Sequence, residues 1–128
     1  MVERTTRLEA CAPILVVSDV PASVDYYRDA LGFDVAFVWG EPSYYAGVCR
    51  DDVTLHLQAA DRTERPAGGG AVSLFVGDAD AIHRELVERG ARVLMEPRTY
   101  PYGMRDFNAA DLDGNQLTFG HAVEGSQA

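Results

Sequence analysis

Apolar and polar residues alternate along short segments of the chain, and this period-two pattern predicts strands buried on one face. Two other segments carry apolar residues at helical spacing. The apolar residues are Val20, Val24, Tyr27 and Leu31 in the first segment, and Ala79, Ile82, Leu86 and Val87 in the second. The predicted strands are residues 10–18, 34–39, 44–50, 53–58, 71–76, 92–96, 105–110 and 116–121.

The order of these elements occurs twice. The segments "LVVSDVPASVDYYRDALGFDV" and "LFVGDADAIHRELVERGARV" each run strand, aspartate, helix, glycine and strand. Repetition of a unit of about 60 residues predicts a duplicated βαβββ arrangement rather than a solenoid. We therefore expect an α+β fold in one domain, residues 1–128, divided into module one (10–59), a polar linker (60–70) and module two (71–121).

The ends of both predicted helices carry capping residues. Asp19 and Asp78 precede the helices, where a carboxylate accepts hydrogen bonds from unpaired amides of the first turn. Gly32 and Gly90 follow the helices, where a left-handed residue commonly ends a helix. The capping pattern supports the two helix predictions independently of hydrophobicity.

Alternation assigns a face to each strand residue. In strand 53–58, one row holds Val53, Leu55 and Leu57, which should pack beneath the helices. The other row holds His56 between Thr54 and Gln58. Such a mixed row predicts a concave sheet face that binds a ligand or a second subunit.

Charge and cysteine usage narrow the functional classes. The formal net charge is -9 and the hydrophobic fraction is 47%. An acidic protein is poorly suited to nucleic acid or to an anionic membrane, so neither is an expected partner. An acidic field does favour cationic ligands. Cys11 and Cys49 are predicted to be small buried thiols in a reducing compartment, and the expected location is the cytoplasm.

Two stretches carry a resemblance to a known family. With the strand–aspartate–helix pattern, "YYAGVCRDDVTLHL" and "YPYGMRDFNAADLDGNQLTF" resemble the vicinal oxygen chelate superfamily, which includes glyoxalases, bleomycin-resistance proteins and dioxygenases. Residues 10–121 are most similar to bleomycin-resistance proteins. The resemblance implies a cup-shaped mixed sheet, helices on its outer face, and a homodimer.

The same resemblance bears on metal binding. Metal ligands of related enzymes correspond here to Ala12, His56, Ala71 and Thr118. Alanine has no donor atom, a threonine hydroxyl is a poor ligand, and a stable site usually needs three protein donors. The resemblance therefore implies no metal and no cofactor in this chain.

Aromatic positions carry the functional expectation. By resemblance, Phe37, Tyr45 and Tyr102 are expected to bind a small molecule at a dimer interface. Trp39, which shares the strand face of Phe37, and His56 of the inner face are expected to contribute to the same site. The expected function is metal-independent sequestration of a flat antibiotic, with a cationic one favoured by the acidic charge. The aromatic residues could instead fill the sheet core or the dimer contact, and His56 could be a hydrogen-bonded polar residue of the inner face.

An enzymatic alternative stays open. A glyoxalase-like lyase or isomerase of the same fold could act through His56 and a carboxylate in the cleft, such as Glu41 or Glu96. No nucleophile–base pair is visible in the sequence, so no catalytic residue is assigned. A third hypothesis is that the chain is a stand-alone or regulatory module that binds a housekeeping metabolite.

Overall fold

The computed structural model describes residues 1–123, and the last five residues of the predicted domain, 124–128, lie outside that part. Within it, two α-helices and nine strands occur in the order β1 (Ile14–Val17), α1 (Val20–Asp29), β2 (Asp34–Gly40), β3 (Ser43–Arg50), β4 (Val53–Ala59), β5 (Ala71–Phe75), α2 (Ala79–Arg89), β6 (Arg92–Val93), β7 (Arg98–Thr99), β8 (Met104–Ala110) and β9 (Gln116–Ala122).

The strands form two mixed sheets, one from each half of the chain. The first, here called the N-sheet, has the order β1-β4-β3-β2. The second, the C-sheet, has the order β5-β9-β8-β6, and β7 also pairs with β8. In each sheet the first and last strands of the half run parallel, which requires a crossover such as the helix between them. The predicted α+β fold of two βαβββ-like modules with open, cup-like sheets is confirmed.

Both helices begin at the predicted aspartates. The Asp19 carboxylate accepts a hydrogen bond from the Ala22 amide at 3.0 Å, and Asp78 accepts one from Ala81 at 3.1 Å. Gly90 ends α2 in the left-handed conformation with φ of 85°. The caps satisfy amides and carbonyls that a helix end would otherwise leave unpaired. Neither helix in residues 1–123 is long and apolar enough to cross a membrane.

One hydrophobic core joins the helices to both sheets. The predicted inward rows of the strands are buried beneath the helices, and they include Leu15, Val17, Leu55, Leu57, Leu74, Leu117 and Phe119. Tyr27 of α1 and Leu86 of α2 are fully buried in the same cluster. Burial of each large apolar side chain contributes about 1.5–3 kcal/mol to stability. The helices cover only this side, so the opposite row of each strand faces outward.

A buried polar network connects the two modules. Asp111 is fully buried and accepts a hydrogen bond from the Tyr27 hydroxyl at 2.9 Å. The Asn115 amide group donates to the Asp111 carboxylate and to the Val16 carbonyl, each at 2.9 Å. Burial, together with the Asp111 carboxylate, raises the pKa of Tyr27 far above its ordinary value, so the phenol stays a donor. A buried carboxylate is tolerated only with such donors.

An ion pair spans the modules on the outer side. The Arg50 guanidinium of β3 donates to both carboxylate oxygens of Glu85 on α2, at 2.7 and 2.8 Å. Arg89 donates to the same carboxylate at 2.7 Å. The hydrogen bonds from Arg50 lower the pKa of Glu85, and those to Glu85 raise the pKa of Arg50. The bidentate geometry makes this pair stronger than a typical surface pair.

The structure corrects the first predicted strand. Regular pairing of β1 with β4 begins at Ile14, not at residue 10. Pro13 has no amide hydrogen, so it cannot continue the ladder toward the N-terminus. Cys11 is consequently exposed rather than buried, and Cys49 is only partly buried.

The predicted strand 92–96 is also shorter than expected. Its regular part ends at Val93, and the short strand β7 follows Pro97, which likewise supplies no amide hydrogen. Val87, predicted on the apolar face of α2, is 54% exposed because it lies one residue beyond buried Leu86 and points away from the core.

The polar linker packs onto the N-sheet. The Gly68 amide donates to the Val16 carbonyl at 3.1 Å, and the Arg62 guanidinium lies 3.8 Å from the centre of the Tyr44 ring. Val16 alternates with the buried residues Leu15 and Val17 and so lies in the outward row of β1, yet it is only 3% exposed. The linker reaches this part of β1, which strand alternation alone cannot predict.

Arg105 and Asp106 are adjacent in β8 and opposite in charge, but each has another partner. Arg105 donates two hydrogen bonds to the Asp80 carboxylate of α2, at 2.8 and 2.9 Å, and a third to the Thr99 hydroxyl at 3.1 Å. Asp106 accepts from the Tyr102 hydroxyl. Adjacent strand residues point to opposite faces, which separates Arg105 from Asp106.

Replacement of Tyr27 by phenylalanine tests the buried network. Tyr27→Phe removes one donor from a buried carboxylate, so the free energy of unfolding should fall by about 2 kcal/mol. The matched control is Tyr44→Phe, whose hydroxyl makes no hydrogen bond within residues 1–123. Urea unfolding measures both variants. Equal stability of Tyr27→Phe and the native protein would show that the network does not stabilise the module contact.

Replacement of Glu85 by glutamine tests the ion pair and its pH dependence. Because the folded pKa of Glu85 lies below its ordinary value of 4.5, the pair stabilises the protein above that value. This stability is lost as pH falls through the lowered pKa. Glu85→Gln should cost about 1 kcal/mol at neutral pH and progressively less in acid.

The control for Glu85 is Asp25→Asn. Asp25 pairs with Arg28, but their side chains are 65% and 50% exposed, so its loss should change stability little. Urea unfolding over a pH series compares the two variants. A Glu85→Gln effect that does not depend on pH would contradict an electrostatic role.

Candidate functional site

The open face of the N-sheet carries the residues that alternation assigned to it. His56 lies in the middle of β4, opposite Gly47 of β3 and beside Ile14 of β1. Its neighbours in the outward row, Thr54 and Gln58, are also only partly buried. The imidazole is therefore presented on a sheet face that the helices do not cover.

Three rings meet on this face, and they are called here the aromatic cluster: Phe37, Tyr45 and His56. The Phe37 and Tyr45 rings are nearly parallel, with centroids 6.3 Å apart and an interplanar angle of 8°. Each of these rings is edge-to-face with the His56 ring, and the ring centroids are 5.4 Å apart in both pairs. These separations are favourable for aromatic pairs. The cluster has a preformed geometry although Phe37 remains 41% exposed.

Gly47 makes the cluster possible. A Cβ atom at this position would overlap the Phe37 ring. The absence of a side chain lets Phe37 lie flat across β3 and reach His56. The glycine in "YYAGV" thus has a packing reason that the strand pattern alone does not reveal.

A hydrogen bond orients His56. The Tyr45 hydroxyl and Nδ1 of His56 are 2.9 Å apart. In the tautomer with hydrogen on Nε2, the hydroxyl donates to Nδ1, and the Nε2 hydrogen is available to a ligand. Among the described contacts of His56, within residues 1–123 of one chain, there is no carboxylate.

The positions that correspond to metal ligands do not fit a divalent ion. Ala12 and Ala71 supply no donor atom, and the Thr118 hydroxyl donates to the Asn108 amide oxygen at 2.7 Å. Within residues 1–123, no three His, Cys, Asp or Glu side chains lie close enough together to hold a metal ion. One imidazole remains, and a stable site generally needs more donors.

Trp39 extends the aromatic surface toward the sheet edge. It pairs with Tyr45 across the β2–β3 ladder and is 65% exposed. A register shift between Val35 and Phe37 precedes it, and the β2 residues are all exposed. β2 is the edge strand of the N-sheet, so its outer backbone groups have no sheet partner in one chain.

Tyr102 lies apart from the aromatic cluster. It belongs to the turn between β7 and β8, where its ring stacks on Tyr100 at 5.1 Å. Its hydroxyl donates to the Asp106 carboxylate at 3.0 Å, and the side chain is 55% exposed. Loss of hydration and the Asp106 carboxylate raise the pKa of Tyr102. The structure thus brings three predicted residues together, sets Trp39 beside them, and places Tyr102 on the other sheet.

The open face of the C-sheet carries a polar group that the sequence analysis identified only in part. Alternation assigns Gln116 and Thr118 to this face, because Leu117 and Phe119 are buried. Asn108 joins them: its amide oxygen accepts from Thr118, and its amide nitrogen lies 3.6 Å from the Met95 sulfur. Strand alternation also predicts this position for Asn108, because it lies between the apolar residues Phe107 and Ala109, which are both buried.

A family comparison agrees with this architecture. The model described as the Glyoxalase/Bleomycin resistance protein/Dioxygenase superfamily matches residues 7–119. Among proteins of curated function, none is significantly similar to the chain.

Solved structures give a consistent result. A bleomycin-binding protein from Streptomyces verticillus, complexed with copper(II)-bleomycin, is 28% identical; the alignment covers 94% of this chain and all of that one, with a TM-score of 0.69. TnmS3, an antibiotic binding protein from Streptomyces sp. CB03234, is 25% identical over 92% of this chain and all of that one, with a TM-score of 0.73. A superfamily member from Sphaerobacter thermophilus is 26% identical over 88% of this chain and 98% of that one, with a TM-score of 0.72.

A Gly47→Ala variant tests the geometry of the aromatic cluster. The added methyl group should displace the Phe37 ring, which changes the ring-current shifts of the His56 ring protons in NMR spectra. The matched control is Gly77→Ala, because a Cβ at Gly77 meets no atom within 4 Å. Circular dichroism checks that both variants fold. Unchanged His56 shifts in Gly47→Ala would contradict the ring arrangement.

Proposed function

Because the chain belongs to the Glyoxalase/Bleomycin resistance protein/Dioxygenase superfamily, we propose that it is a metal-independent binding protein. It sequesters a flat antibiotic without chemical change, in clefts lined by aromatic side chains at the interface of a homodimer. The observation that carries the proposal is the aromatic cluster, which is ordered by its own contacts yet open to solvent in one chain.

The cluster suits a flat heterocycle. Each aromatic stack contributes about 0.5–1.5 kcal/mol beyond the buried area, and a cation over a ring face contributes about 0.5–2 kcal/mol. Trp39 enlarges the surface available for stacking. Because Phe37, Tyr45 and His56 already hold one another in place, less conformational entropy is lost when a ligand binds.

The surfaces that one chain leaves uncovered support the proposed homodimer. The open faces of both sheets and the edge strand β2 have no cover from the helices. A second chain that packs its C-sheet against the N-sheet would bring Tyr102 toward the aromatic cluster. The polar group Asn108, Gln116 and Thr118 would then form the opposite wall and supply hydrogen bonds to the ligand. Aromatic and polar walls together are typical of small-molecule sites.

Charge and similarity support the ligand class. The net charge of -9 favours encounter with a cationic molecule. Two of the similar structures are named for binding bleomycin and an antibiotic, respectively. Nothing in the contacts of His56 favours the lyase or isomerase alternative, because no described carboxylate of the same chain contacts the imidazole.

Two alanine substitutions test the binding surface. Tyr45→Ala and Tyr102→Ala should each weaken binding of a bleomycin-type or other flat cationic antibiotic by about tenfold, which corresponds to about 1.4 kcal/mol. Both side chains lie on open faces, so folding should be preserved. Val87→Ala, an exposed change on α2, is the control. Isothermal titration calorimetry measures affinity, and urea unfolding measures stability.

The outcomes separate the site from the core. If both tyrosine variants unfold, these side chains are structural and the proposed cleft is wrong. If both bind as tightly as the native protein, the ligand wall lies elsewhere. A protein that remains monomeric in light scattering, with and without bound drug, would contradict the interface cleft.

A further inference from the structure

We propose that the chain has a second ligand site, separate from the aromatic cluster, that binds a small organic ammonium ion with an apolar body. The site is a cavity of about 410 Å³, called here the seam cavity. It lies between the β3–β4 turn, the end of β5 and the first turns of α2. None of the five residues expected at the antibiotic cleft lines it.

The seam cavity lies where the two modules meet. Arg50 to Val53 of module one form one wall, and residues 74–78 with the α2 side chains form the other. The Arg50–Glu85 ion pair spans the two walls and fixes their separation. A volume of this size is within the range of natural small-molecule sites, about 300–1,000 Å³.

The floor of the cavity is apolar and rigid. Phe33, Leu74 and Phe119 line it and are 3%, 7% and 4% exposed, respectively. All three belong to the hydrophobic core, so their positions are set by close packing. Phe75 also borders the cavity and is 77% exposed.

The rim carries excess negative charge. Four acidic residues and a single basic one line the cavity. Arg50, the basic one, is engaged by Glu85 and by the Leu31 carbonyl. Asp51 and Asp52 are exposed, and within residues 1–123 neither carboxylate takes part in a hydrogen bond or ion pair. Asp51 interacts electrostatically with Arg50, but neither carboxylate is neutralised by a direct contact with a described residue. Two such carboxylates beside an apolar floor match a cation with an apolar body.

This chemistry disfavours other ligands. An anion would face the carboxylates without a free guanidinium. A metal ion would lack donors, because no group of three His, Cys, Asp or Glu side chains among the described residues could hold one. A neutral apolar molecule could enter, but it would gain nothing from Asp51 and Asp52. An aryl-alkyl ammonium ion uses both features, since its ring is buried and its charge stays at the wet rim.

Titration of the full chain with 2-phenylethylammonium tests the site. The neutral 2-phenylethanol and the anionic phenylacetate are the matched probes. NMR spectra of ¹⁵N-labelled protein should show saturable shifts of the Gly77 and Ala81 amides, which border the cavity. The ammonium ion should bind about fivefold more tightly than the alcohol, and phenylacetate should bind least.

Three variants assign the binding to the seam cavity. Asp51→Asn combined with Asp52→Asn should reduce ammonium affinity about fivefold and leave the alcohol unaffected. Asparagine suits position 51, because its φ of 52° is left-handed. Ala81→Phe should fill the cavity and abolish saturable binding of both probes, while the backbone amide at position 81 still donates its hydrogen bond to the Asp78 carboxylate. Tyr45→Ala should leave ammonium binding unchanged.

Three results would contradict the proposal, and each would contradict a different part of it. Equal affinity for the ammonium ion and the alcohol would overturn the role of the two aspartates. Shifts confined to β2, β3 and β4 around Tyr45, or binding lost in Tyr45→Ala, would place the cation in the aromatic cluster instead. Unaltered binding in a folded Ala81→Phe variant would refute the seam cavity as the site.

Discussion

The fold depends on one constraint: the helices cover only one side of each sheet, so only alternate residues of each strand can be buried in the core. The helices lie on one side of both sheets, so one row of each strand, including Leu55 and Leu57, packs into a common core. The opposite row is left open, and it contains His56. The residues that one chain does not bury are therefore the ones available to bind a ligand or a second subunit. The aromatic cluster occupies this open face, and its rings are held by contacts with one another rather than by the core.

Buried hydrogen bonds, as well as apolar contacts, join the two modules. Asp111 accepts hydrogen bonds from Tyr27 across the module boundary and from the turn that contains Asn115. A fully buried carboxylate with several donors allows few alternative arrangements, because each lost donor leaves an uncompensated charge. Together with the Arg50–Glu85 pair, this network sets the module geometry. Both proposed sites depend on it, the cleft through the sheets' orientation and the seam cavity through its two walls.

Much of the fold could be predicted from sequence because its determinants are local. Period-two alternation identified the buried row of β4, and the caps at Asp19 and Asp78 located both helices. Features set by distant contacts could not be predicted. Alternation cannot show that the linker covers Val16 or that Arg105 pairs with Asp80. Nor can it show that Tyr102 lies apart from the aromatic cluster within one chain. The seam cavity likewise arises from module packing and has no signature in either module alone.

The chain's single tryptophan allows a direct test of the central claim, that the open face of the N-sheet is the ligand wall. Trp39 is 65% exposed and pairs with Tyr45, so a bound drug should cover it. The measurement is acrylamide quenching of Trp39 fluorescence during titration with a flat cationic antibiotic that gives heat in calorimetry. If the drug covers this face, quenching should fall in parallel with the heat and reach a plateau at the same saturation. Calorimetric saturation without any change in quenching would contradict the claim.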